Sequence, residues 1–167
     1  MFAKSTDGGV SFGAPQPVAT NLPSTGGFRL KNADPNFGSV PGAGSRSNSF
    51  PTAAIAPDGT IFVAWADFPN GFCTPDGAGR PPCVNADVRL SKSSDGGVTW
   101  SVPVRVNDDS TSNDQFFPWI ATRPDGRLHV IWQGKRADPS NQNFDTFYAN
   151  SNNGTSRRTC ASPPARW

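Results

Sequence analysis

Apolar residues in this chain gather in short runs, some alternating with polar residues and some unbroken. Clusters of Gly, Pro, Asn, Asp and Ser separate them. Runs of this length with such boundaries predict β-strands. Phe50-Pro51-Thr52-Ala53-Ala54-Ile55-Ala56-Pro57-Asp58-Gly59 aligns with Phe117-Pro118-Trp119-Ile120-Ala121-Thr122-Arg123-Pro124-Asp125-Gly126 at an offset of 67 residues. The offset holds through Ile61-Phe62-Val63-Ala64-Trp65 against Leu128-His129-Val130-Ile131-Trp132. Each unit therefore reads as a strand, a Pro-Asp-Gly turn and a second strand. A third strand follows in each, Asp87 to Ser91 and Asp145 to Ala149, at an offset of 58. The nine residues of difference come out of the loop between the second and third strands.

Val102 to Val106 supplies a fourth strand to the first of these units, and Gln16 to Thr20 reads as a short strand near the start. Four-stranded antiparallel units about 60 residues apart are the pattern of propeller blades. The expected fold is all-β, a partial β-propeller of about two and a half four-stranded antiparallel blades. Residues 1–21 are the end of a blade, 22–48 a Gly/Pro/Ser-rich loop, 49–107 a complete blade and 108–156 an incomplete one. Residues 157–167 form an irregular tail without strand pattern. Met1-Phe2-Ala3-Lys4 takes the place of Arg89-Leu90-Ser91-Lys92, so the chain opens inside a strand. It reads as a fragment of a larger propeller or a mis-called start, unless the piece closes a ring by completing the last blade. Open sheet faces and strand edges at both ends predict association rather than a cooperative monomer.

Between the third and fourth strands lies Ser93-Ser94-Asp95-Gly96-Gly97-Val98-Thr99-Trp100, and a second copy occurs as Ser5-Thr6-Asp7-Gly8-Gly9-Val10-Ser11-Phe12. Asp can accept the backbone N–H groups of its own turn, and Gly takes positive φ without a Cβ clash. The pattern Ser-x-Asp-x-Gly-x-Thr-Trp resembles the Asp-box, or bacterial neuraminidase repeat, of sialidases and related β-propellers. Ser93, Asp95, Gly97, Thr99 and Trp100 fit every defined position. Ser5, Asp7 and Gly9 fit in the other copy, with Ser11 and Phe12 as conservative stand-ins. The resemblance implies a sialidase-like propeller in which the box staples a turn far from the active site. It also implies three arginines that hold a substrate carboxylate, a Tyr nucleophile activated by Glu, an Asp acid/base, and an opening Phe/Tyr-Arg-Ile-Pro motif. Here Ser49 and Phe116 stand where that Arg belongs, and Phe28-Arg29-Leu30-Lys31 has the Arg without the Pro. Only the Asp-box residues carry over from the family.

Composition narrows the chemistry. All 13 acidic residues are Asp, against 11 Arg and 4 Lys, and the chain has no Glu. A net charge of +2, scattered along the chain, does not point to nucleic acid or to an anionic membrane. No apolar run approaches the roughly 18–20 residues that span a bilayer, and no secretory signal is present on these residues. Cys73 and Cys83 bracket the insertion between the second and third strands. They read as a local disulfide worth roughly 2–3 kcal/mol; two free thiols are the alternative, and a zinc site lacks nearby His ligands. A disulfide argues for a secreted or extracytoplasmic protein. Cys160 is left over in the tail.

Alternating strand directions put loops 21–49, 67–87, 107–116 and 134–144 on one face, opposite the Pro-Asp-Gly turns and the Asp-boxes. In sialidase-like propellers this loop face carries the site. Candidates for ligand contact there are Asp67, Arg80, Lys135, Arg136 and Asp138, for which a surface ion-pair network is the plainer reading. Catalytic candidates are Asp67, Arg136 and Tyr148, the only Tyr. Asp108, Asp109 and Asp114 sit in an oxygen-rich loop, where a solvated turn is the default and Ca²⁺ the one cation its ligands would suit. No other cofactor is expected. His129 reads as a sheet residue, and Trp119 and Trp132 as fillers between blades. The expected function is that of a sialidase-like, glycoside-hydrolase-related propeller that handles a glycan or glycoprotein, without a complete catalytic set on these residues. The other reading is a non-catalytic Asp-box module that binds carbohydrate or protein through its loop face.

Overall fold

A computed structural model describes residues 1–20, 50–67, 85–140 and 143–152, with the backbone of three further short strands. The strands in chain order are β1 (Phe28–Arg29), β2 (Arg46–Ser47), β3 (Thr52–Ile55), β4 (Ile61–Asp67) and β5 (Asp87–Ser93). They continue with β6 (Val104–Arg105), β7 (Gln115–Thr122), β8 (Leu128–Gly134), β9 (Asp145–Ser151) and β10 (Arg158–Ala161). The fold is all-β, with no helix among the described residues. Two four-stranded antiparallel sheets run in the orders β3-β4-β5-β6 and β7-β8-β9-β10, and β1 pairs with β2 apart from them.

The apolar patterns explain how the sheets stack. Every residue of β4 is buried, because both its faces are covered. Phe62 and Ala64, with Val88 and Leu90 of β5, meet Ile120, Val130, Trp132 and Phe147 of the second sheet in one core. Ile61, Val63 and Trp65 point the other way, onto Val18, Phe2, Ala19 and Trp100. In β8 only alternate residues, Leu128, Val130, Trp132 and Gly134, are buried. The outer face of that sheet carries Ile131 and Trp119 in the open. The order through the described residues is thus an N-terminal layer, the first sheet, the second sheet and a face that none of them covers.

Four local readings of the sequence change. Residues 16–20 form no strand; Phe2 and Gln16 make an isolated antiparallel bridge, exchanging N–H···O bonds of 2.7 Å. The strand expected over 102–106 narrows to Val104–Arg105, since Pro103 has no N–H for the ladder. Tail residues Arg158–Ala161 form β10 and pair with Phe147–Asn150 of β9, so the second sheet has a fourth strand where the sequence showed no strand pattern. Trp119 does not fill a core: it is 67% exposed, whereas Trp132 is buried.

A bulge in β7 fixes how the second sheet meets its loop end. Phe116 pairs with Gln133 and Trp119 with Ile131, so Phe117 and Pro118 face a single position, and Phe117 takes a φ of 49°. The bulge lets Gln115 and Phe116 both turn inward. Gln115 Oε1 then accepts the indole N–H of Trp132 at 3.0 Å. Gly134 opposite must lack a side chain, because a Cβ there would lie 2.1 Å from that amide oxygen and 2.8 Å from the Phe147 ring.

Candidate ligand-binding face

Two ends of the sheets have opposite chemistry. At one end lie the tight turns. Ser93 Oγ donates to Asp95 Oδ1 at 2.7 Å and accepts Gly97 N–H at 2.8 Å. Asp95 accepts Val98 N–H at 3.0 Å, Thr99 N–H at 2.9 Å and the Thr99 hydroxyl. Ser5, Asp7, Gly9 and Ser11 repeat the set: Gly9 N–H to Ser5 Oγ at 2.8 Å, Ser11 N–H to Asp7 Oδ1 at 2.9 Å, and Ser11 Oγ to Asp7 Oδ2. The hydroxyl of Thr99 and that of Ser11, followed by the backbone N–H of the same residue, hold each carboxylate well below the usual range. The Pro-Asp-Gly turns lie at the same end, with Asp58 and Asp125 each accepting a backbone N–H two residues on. All these donors are spent inside their own turns, so this end offers structure and little chemistry.

The opposite end is a belt of buried polar side chains: Asp67, Asp87, Asn107, Asp114, Gln115 and Lys135. Each lies where a strand ends or begins, so the belt follows from the meander. Burial at strand ends demands hydrogen bonds, and backbone groups supply many of them. Asn107 Oδ1 accepts Val88 N–H at 2.9 Å, while its amide donates to Asp87 and Asp109, each at 2.8 Å. Asp114 Oδ1 accepts Ala86 N–H at 3.2 Å across the two sheets. Asn113 Nδ2 donates to the carbonyls of Lys135 at 3.1 Å and Asp138 at 2.7 Å. Asp87 and Asp67 face each other across the β4–β5 ladder. Asp87 Oδ1 lies 3.8 Å from Arg105 Nη1, and its Oδ2 is buried with no hydrogen-bond partner among the described residues.

Around the belt runs a charged rim. Arg136 pairs with Asp108 at 2.5 Å and lays its guanidinium over Phe147, 3.9 Å from the ring centroid. Lys135 is only 1% exposed, with Nζ 5.9 Å from the centre of Phe116. Burial pushes its ammonium below the ordinary value, and the charges of Asp114 and Asp138 pull it back. Asp138 organises its own loop, accepting Ser140 N–H at 2.9 Å and Asn143 N–H at 2.7 Å.

Asp67, Lys135, Arg136 and Asp138 thus share one end of the stacked sheets. Tyr148 does not join them. It lies on the outer face of β9, opposite Phe147, with its hydroxyl 2.6 Å from His129 Nδ1. His129 is a sheet residue on β8. Asp108, Asp109 and Asp114 do not converge: they serve Arg136, Asn107 with Thr111, and Ala86 N–H respectively. Among the described residues no three His, Cys, Asp or Glu side chains come together as metal ligands. Arg80, Cys73 and Cys83 lie outside the described residues. Sequence reasoning overlooked Asp87, Asn107 and Gln115. Their signal was a polar residue on the inward phase of a strand or just beyond its end.

No protein-family model and no curated protein matches the sequence. Among solved structures, the chain is similar to a Hadza microbial sialidase, with a TM-score of 0.41 and 20% identity over 65% of this chain and 23% of that one. It is also similar to an N-acetylgalactosamine deacetylase from F. plautii in complex with blood group B trisaccharide. There the TM-score is 0.40 and the identity 18%, over 72% of this chain and 32% of that one. The chain spans less than a third of the length of either structure.

Proposed function

We propose that these residues are successive blades of a sialidase-like β-propeller in a glycan-handling, extracytoplasmic protein, with the polar loop end as its ligand face. What carries the reading is the segregation of the two ends. Two stacked four-stranded meanders put self-satisfied Ser-x-Asp-x-Gly turns at one end and a charged, partly buried belt at the other. The hydrogen bonding of both turns agrees with the Asp-box resemblance of the sequence.

Within that reading, these residues bind and do not hydrolyse. Retaining sialidase chemistry, as the resemblance implies it, needs a Tyr whose proton passes to a neighbouring Glu. The sequence has no Glu, and Tyr148 stands on a sheet face beside His129. An Arg clamp for a carboxylate needs donors that are free to reach it. Among the described residues at this end, Arg136 is tied to Asp108 and Arg105 lies beside Asp87. Purified chain should release no fluorophore from a 4-methylumbelliferyl sialoside above a heat-killed control. Turnover that is lost on Tyr148→Phe would overturn this. On an array of sialylated and neutral glycans the chain should bind at least one class. Failure to bind any glycan would remove the ligand-face reading.

A further inference from the structure

We infer that the loop end takes neutral pyranose rings, stacked on Phe50 and Phe117, and not an anionic sugar held by charge. The inference rests on the ligand-face reading and adds to it the residues and the class of sugar.

The repeat places two aromatic rings alike. Phe50 and Phe117 are equivalent at the offset of 67, and each is followed by Pro near the start of the first strand of its sheet. Those strands, β3 and β7, run side by side. At their far end Thr122 Oγ1 donates to the Ile55 carbonyl at 2.7 Å. Both rings therefore stand at the loop end, Phe50 70% exposed and Phe117 47%. That exposure does not come from an uncovered sheet face. The first sheet is covered on one side by the N-terminal layer and on the other by the second sheet, yet Phe50 is the more exposed of the pair. The position itself, and not a missing neighbour, keeps the ring in water.

Phe117 is also held in place. It sits at the bulge of β7 with a φ of 49°, where a bulky side chain is seldom found. Its ring braces on buried Phe116, with centroids 5.2 Å apart and planes at 74°. Backbone strain of this kind is kept where a side chain must point in one direction.

The charges at this end decide the ligand's chemistry. Arg136 is paired with Asp108 and laid over Phe147, and Lys135 is buried. Asp138 is spent on Ser140 and Asn143. Arg105, beside Asp87, lies on β6, at the edge of its sheet farthest from β3. The described cations of this end are thus engaged, buried or distant, and a carboxylate would find no clamp among them. What Phe50 and Phe117 offer is a pair of π-faces, whose negative potential attracts the C–H face of a pyranose.

An array of matched pairs tests this with the full chain, each neutral glycan printed beside its sialylated counterpart on one carrier protein. Binding should fall on the neutral members and should not weaken as salt is raised from about 0.05 to about 0.5 M. Phe117→Gly should stay folded by circular dichroism, because glycine suits a φ of 49°, and Phe50→Ser alters an exposed position. Each should weaken binding about tenfold, whereas Phe117→Tyr, which keeps the ring face, should bind like wild type. Binding confined to sialylated members, binding that falls with salt, or binding indifferent to both substitutions overturns the inference and leaves the ligand-face reading standing. Signal on the bare carrier that Phe117→Gly abolishes would mean that the rings take polypeptide, and overturns it as well. Binding to no glycan removes both.

Discussion

Asp95 and Asp7 sit in solvent, yet each is held by hydroxyl and backbone donors of its own turn. Their folded values lie below the ordinary 3.8. The stability they contribute is therefore fully present above about pH 5 and lost as the pH falls through 3.8 toward the folded values. Thermal melts at pH 6 and pH 3 should show a drop that becomes shallower in Asp95→Asn, which should also melt lower than wild type at pH 6. An unchanged drop would mean that the turn carboxylates do not couple to folding. This turn was legible in the sequence because the side-chain hydrogen bonds of its Ser, Asp and Thr stay within residues 93–100. Asn107 was not legible. Val88 and Asp87 come within its reach only when β5 and β6 are paired, and in the sequence it reads as one more polar loop residue.

Among the elements, the N-terminal segment has the least regular structure and the most specific dock. Phe2 packs edge-on against Trp100 with ring centroids 5.4 Å apart. Its ring also covers Gly97, where a Cβ would come within 2.2 Å of it. The turn after β5 therefore does two jobs, closing a hairpin and seating the first layer on the first sheet. A double-mutant cycle of Phe2→Ala and Trp100→Ala, read by chemical denaturation, should give a coupling of about 0.5–1.5 kcal/mol. Trp100→Ala alone should cost toward the lower end of the roughly 3–5 kcal/mol seen for buried aromatics, since the indole is only partly buried. Additive effects would mean that the segment docks without the aromatic pair. The strands β4, β5, β8 and β9 were legible because Val, Ile, Phe and Trp recur at strand spacing. β10 was not: Arg158-Thr159-Cys160-Ala161 has no apolar alternation, and its strand character comes from the edge that β9 offers.

At the scale of the molecule, the apolar core between the sheets joins the two repeats. Phe62 projects from the first sheet into a cluster that includes Val130, Trp132 and Phe147 of the second. Phe62→Ala should lower stability by about 3–5 kcal/mol, read as a lower urea midpoint by tryptophan fluorescence. A change below about 1 kcal/mol would mean that the two sheets do not share a core. The repeat foretold that both units would be sheets, but not which faces would meet. Phe62 and His129 occupy equivalent positions, one buried and the other beside Tyr148 on the open face, and nothing local to either residue distinguishes them. That difference arises only from what is stacked next.

The close fit of Gly134 against Gln115 has a historical consequence. Position 134 cannot accept any side chain while a long amide occupies position 115. Once Gln115 is shortened, the indole N–H of Trp132 loses its acceptor, and a phenyl ring, which has no N–H to satisfy, becomes the better occupant of position 132. Change therefore has an order: 115 first, 132 with it, and 134 last, once the Phe147 ring has also given way. In any lineage of this chain, a residue other than glycine at position 134 should be found only where 115 has already become small.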